Sequence, residues 1–111
     1  DPSTTTMTSG QAYDVTVASG QWVHGKIYVD AGDDLTVQMS GDACGFLGCS
    51  YDVDLYVNDG ARATTTDYEC RPYASGSDET CTLTNLAAGW YYVGAYGYSG
   101  TGDVTLVATV S

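Results

Sequence analysis

The stretch YDVDLYVNDG, residues 51 to 60, alternates with a period of two. Val53, Leu55 and Val57 fall on one side, Asp52, Asp54 and Tyr56 on the other, and AsnAspGly closes the run with a turn signal. A strand with one apolar face and one polar face must bury the apolar one, so this stretch reads as part of a sheet packed on a core.

The same alternation recurs on both sides of it. It appears in AYDVTVA (12 to 18), WVHGKIYV (22 to 29), DLTVQM (34 to 39), ETCTLT (79 to 84), GWYYVGAYGY (89 to 98) and DVTLVATV (103 to 110). Turn signals separate these runs at SerGly, AspAlaGlyAsp, AsnAspGly, AlaAlaGly and SerGlyThrGly, and no segment sustains a helical period. The expected fold is all-β, an antiparallel β-sandwich or jelly roll. Its core takes Tyr13, Val15 and Val17, then Ile27 and Val29, then Val53, Leu55 and Val57, and finally Val104, Leu106, Ala108 and Val110. A chain of 111 residues holds one such core.

Fourteen carboxylates against three basic residues, Lys26, Arg62 and Arg71, give a net charge of −11. That excludes nucleic acid and anionic membranes as partners, because both demand a basic footprint. It suits a bound divalent cation, or a salty medium. The four cysteines, Cys44, Cys49, Cys70 and Cys81, leave three connectivities open. Their spacing argues against zinc, since the single histidine, His24, lies far from both pairs. Pairing Cys44 with Cys49 and Cys70 with Cys81 would close two local loops and implies an oxidising compartment, hence a secreted protein. No apolar run approaches the length of a membrane span, and no signal-peptide pattern opens the chain. Residues 1–10, with the start DPSTTT, read as a linker remnant and N-terminal segment, which leaves 11–111 as the folded domain and the whole as a module of a longer exported protein.

YDVDLYVNDG, together with DYECRPYASGSDETCTL (67 to 83) and GWYYVGAYGYSGTGDVTLVATV (89 to 110), closely resembles the bacterial pre-peptidase C-terminal domain. GQWVHGKIYVDAGDDLTVQMSG resembles the opening of the same family, so the likeness spans most of the chain. It implies a sandwich of about eight strands and a Cys70–Cys81 bridge. It also implies an appendage of a secreted peptidase or polysaccharide-degrading enzyme, similar to the collagen-binding domains of clostridial collagenases. The segment SGDACGFLGCSYDVD departs from the pattern, which makes the Cys44/Cys49 loop, with Phe46 and Leu47 at its tip, an insertion without an inherited role.

Catalysis finds little support. A nucleophile and base would have to use His24, mid-strand between Val23 and Gly25. Asp52 and Asp54 share a strand face roughly 6 to 7 Å apart, a spacing the strand itself imposes. Calcium is a better use of these groups, and the candidate ligands are Asp30, Asp33, Asp34, Asp52 and Asp54, with Asp1 and Asp14 as further contributors by analogy with the collagen-binding domains. The competing reading is that they are solvated turn residues.

Strict alternation through GWYYVGAYGYSG (89 to 100) sends Tyr91, Val93 and Ala95 to the core and Trp90, Tyr92, Tyr96 and Tyr98 outward, around a bare Gly94. Tyr56 and Trp22 point outward on their own strands, as do His24 and Tyr28. Exposed rings stack on sugars, so the expected function is a non-catalytic module that tethers an enzyme to an insoluble polymer, a polysaccharide first, through Trp90, Tyr92, Tyr96, Tyr98, Tyr56 and Trp22. The alternatives are a secretion or maturation extension of a peptidase, a binder of collagen-like protein, and a structural spacer. On a purely structural account the rings pack on one another, or a bulge at Gly94 or Gly97 turns some of them inward.

Overall fold

Each alternating run becomes a strand. The computed structural model, which describes residues 4–41, 51–72 and 77–111, contains β1 (Thr4–Thr6), β2 (Ala12–Val17), β3 (Trp22–Val29), β4 (Leu35–Ser40), β5 (Asp52–Asp59), β6 (Glu79–Leu83), β7 (Gly89–Ser99) and β8 (Gly102–Val110). They form two four-stranded sheets, β1-β3-β7-β5 and β2-β8-β4-β6. All pairings are antiparallel except β1 with β3. Between the sheets lie Val17, Ile27, Val29, Leu55, Val57, Val93, Ala95, Leu106 and Ala108 among others, on the faces that alternation assigned to the core, and Val37 of β4 joins them.

β1 has no counterpart among the alternating runs. Three threonines carry no apolar pattern, yet they pair in register with His24, Gly25 and Lys26. Met7 follows them into the core at 6 % exposure, its amide donating to the Lys26 carbonyl at 2.8 Å. The first sheet therefore includes Thr4–Thr6, ahead of the start expected at residue 11. Gly25 makes this possible: a Cβ there would stand 2.6 Å from the Met7 sulfur.

β7 is the central scaffold of the first sheet, with β3 on one side and β5 on the other. Its alternation holds up to Gly97. Asp52 then pairs with Ser99 and Val53 with Gly97, so Tyr98 is the extra residue of a bulge. The bulge turns no ring inward, for Tyr98 is 66 % exposed.

β5 is an edge strand, and three of its outward amides find partners outside the sheet. Val53 N–H donates to Ser77 Oγ at 3.0 Å, Leu55 N–H to Glu79 Oε1 at 2.7 Å and Val57 N–H to the Cys70 carbonyl at 2.9 Å. Closing an edge in this way removes a template for unwanted strand pairing. The Cys70–Cys81 disulfide, with Cα atoms 6.1 Å apart, ties the covering segment to β6. Cys44, Cys49, Phe46 and Leu47 lie outside the described residues.

Candidate functional site

The outer face of the first sheet collects the aromatic residues, and register places them in rows. Trp22 lies opposite Tyr96, His24 opposite Gly94, Lys26 opposite Tyr92 and Tyr28 opposite Trp90. On the other flank of β7, Asp54 meets Tyr96, Tyr56 meets Gly94 and Asn58 meets Tyr92.

These rows divide into a closed half and an open half. In the closed half the Trp22 indole folds across Gly94, where an added Cβ would stand 2.9 Å from Cζ3. Trp22 also stacks on His24 (centroids 5.3 Å apart, planes at 7°) and packs against Tyr56 at 4.9 Å and Tyr96 at 4.8 Å. Tyr56 is not exposed as expected. It has the outward parity, but Tyr68 and the Arg71 guanidinium from the segment after β5 lie at 5.5 and 5.3 Å from its ring, leaving it 1 % exposed. Trp22 and Tyr96 are half-buried in the same group. His24 Nδ1 is buried without a partner, and burial, reinforced by the Arg62 charge, holds its pKa below the ordinary value.

The open half lies toward the β3–β4 end. Tyr28 (50 % exposed) and Trp90 (38 % exposed) meet edge to face at 5.5 Å. Lys26 Nζ stands 4.6 Å from the Trp90 ring centroid, a cation–π contact. Beside them a groove is lined by Thr4, Lys26, Gly60, Ala61, Arg62 and Tyr92. Thr4 Oγ1 accepts from Arg62 Nε at 2.9 Å, which fixes the guanidinium at the groove wall. Two of the chain's three basic side chains thus share one groove, and among the described residues no carboxylate lines it.

The described candidate acidic ligands separate into three places. Asp30, Asp33 and Asp34 form the β3–β4 turn, where Asp33 N–H donates to the Asp30 carbonyl and Asp34 Oδ1 accepts from Asn85 N–H. Asp14 Oδ1 accepts from Thr105 Oγ1, and Asp1 lies outside the described residues. Asp52 and Asp54 are joined instead by Glu79, one carboxylate oxygen of each lying within 4.8 Å of the others. Arg71 Nη2 reaches Asp54 Oδ2 at 3.2 Å. Burial pushes the Glu79 carboxyl up to about 8; Asp54 and Asp52 add to the rise, while the Leu55 amide and Arg71 oppose it. Burial, then the Asp54 charge, raises Asp52 as well. The sequence signal for Glu79 was its parity, for it shares the inward side of β6 with Cys81 and Leu83.

A family model, the bacterial pre-peptidase C-terminal domain, matches residues 25–97. The chain belongs to that family. Over 91 residues it is 40 % identical to the alkaline serine exoprotease A of Vibrio alginolyticus, an alignment covering 82 % of this chain and 16 % of the exoprotease. The chain thus spans about a sixth of that relative's length. Among solved structures, the pre-peptidase C-terminal domain of a Bacillus anthracis collagenase superposes with a TM-score of 0.65 at 13 % identity, covering 96 % of this chain and 94 % of that one. A periplasmic inhibitor of g-type lysozyme from Aeromonas hydrophila superposes at 0.75 and 14 % identity, covering 98 % and 96 %. At such identities the likeness is one of fold alone. Family and relatives are those of exported proteins. This pre-peptidase C-terminal domain is accordingly secreted, in keeping with its Cys70–Cys81 bridge.

Proposed function

We propose that this pre-peptidase C-terminal domain is a non-catalytic accessory part of a secreted peptidase, and that it holds the enzyme against an insoluble protein substrate. The observation that carries this reading is the alignment in which most of this chain matches a small part of a serine exoprotease. A peptidase gains from such a part because holding its catalytic domain near a solid substrate raises the local concentration of cleavable bonds. The contact surface in this reading is the open half of the aromatic face. Tyr28 and Trp90 supply rigid rings, and Lys26, Arg62 and Tyr92 line the adjoining groove. Large aromatics and arginine are the side chains that dominate binding energy at protein interfaces.

A second reading, polysaccharide binding, draws support from the same exposed Tyr28–Trp90 pair, since ring faces stack on sugars. Its platform is smaller than the six rings expected, because Tyr56 is buried and Trp22 and Tyr96 pack on one another.

The test removes residues 1–111 from the peptidase that carries them and compares hydrolysis of an insoluble protein fibre with that of a soluble peptide. The fibre rate should fall several-fold while the soluble rate holds. Equal loss on both, or failure to export a mature enzyme, would favour a maturation role instead.

A further inference from the structure

The three carboxylates between the β5 and β6 edges of the sandwich are left unused by the contact surface on the aromatic face. Asp52 and Asp54 come from β5 of one sheet, and Glu79 from β6 of the other. One oxygen of each lies within 4.8 Å of the other two. Three oxygens so spaced share a point no more than about 2.8 Å from each, and Ca²⁺ ligand distances are about 2.3 to 2.6 Å, so shifts of a few tenths of an ångström bring all three to one ion.

Glu79 is 4 % exposed, and its Oε2 has no hydrogen-bond partner; the buried Oδ1 of Asp52 also lacks one. A buried carboxylate oxygen without a partner is costly, and a cation supplies the missing one. With all three carboxylates ionised, as a bound cation would hold them, they sum with the Arg71 guanidinium to a charge of −2, which a divalent ion cancels. A donor set made only of carboxylate oxygen suits hard cations.

We propose that Asp52, Asp54 and Glu79 bind one Ca²⁺, which clamps the β5 edge of the first sheet to the β6 edge of the second. Because Glu79 Oε1 already accepts from the Leu55 amide, the ion and the strand edge are held by the same side chain. The site is separate from the β3–β4 turn with Asp30, Asp33 and Asp34, and from the aromatic surface invoked for polymer binding.

The experiment titrates CaCl₂ into the chelator-stripped 111-residue chain by calorimetry, with thermal melts in parallel. Ionic strength is held constant so that general relief of the acidic charge does not register. Expected are one-site binding and a midpoint raised by several degrees. Glu79→Gln keeps an acceptor for Leu55 and removes the charge. It should fold without calcium, lose affinity on the order of tenfold or more, and lose the midpoint shift. Asp52→Asn serves the same purpose if Glu79→Gln does not fold. No heat and no shift in the wild type at millimolar calcium would overturn the proposal, as would a wild-type response in the folded variants.

Discussion

Gly94 is bare because the Trp22 indole occupies the space above it, and the closed aromatic half depends on that vacancy. Gly94→Ala should cost about 1 to 3 kcal/mol in denaturant unfolding, because the ring must swing off its stack with His24. Gly97→Ala should cost more: its Cβ would stand 2.0 Å from the Ala18 carbonyl oxygen, and backbone cannot swing aside. His24 gives a pH signature. Its folded pKa lies below 6.5, so the unfolded chain binds more protons in the window just beneath 6.5. Stability is then full above that window and falls as pH drops through it. His24→Gln should flatten this part of the melting-temperature profile; an unchanged profile would remove His24 as its source. Parity alone placed Tyr91, Val93 and Ala95 in the core and Trp90 outside. It could not show that Tyr56 is covered, because Tyr68 and Arg71 arrive from a segment with no period of its own.

The strands were legible where apolar and polar residues alternate, and β1 was not, because Thr4–Thr6 gains its place from parallel pairing with β3 rather than from its own pattern. Edge closure of β5 was equally hidden, since Glu79 reaches it from the other sheet and Ser77 and Cys70 from the segment between β5 and β6. Ser77→Ala leaves the buried Val53 amide unsatisfied and should cost about 1 to 3 kcal/mol by chemical denaturation. The Cys70–Cys81 bridge spans a sequence separation of 11. Replacing both cysteines by alanine should cost about 3 kcal/mol, read by the same method, since a short loop regains its freedom in the unfolded chain. The carboxylate group is where the sequence reading went half-way. It paired Asp52 with Asp54 on one strand face and grouped Asp30, Asp33 and Asp34 with them, whereas the residue the fold brings beside the pair is Glu79 of the opposite sheet.

At the scale of the whole molecule, two four-stranded sheets bury one core and, among the described residues, gather the rings on the outer face of the first sheet, half of it closed by its own packing. The same fold serves a lysozyme inhibitor at 14 % identity, so what this domain does rests on the surface it presents rather than on the sandwich. With a net charge of −11, the clustering of Lys26 and Arg62 beside Trp90 and Tyr92 is the feature of that surface most at odds with the rest of the chain. The most direct measurement is co-sedimentation of the 111-residue chain with insoluble protein fibres, with chitin and cellulose alongside, for the wild type and for Tyr28→Ala combined with Trp90→Ala. Retention on protein fibres is expected, reduced roughly tenfold or more in the double variant while its melting temperature stays near that of the wild type. Absence of retention on fibres, or retention that the double variant leaves intact, would contradict the proposed function.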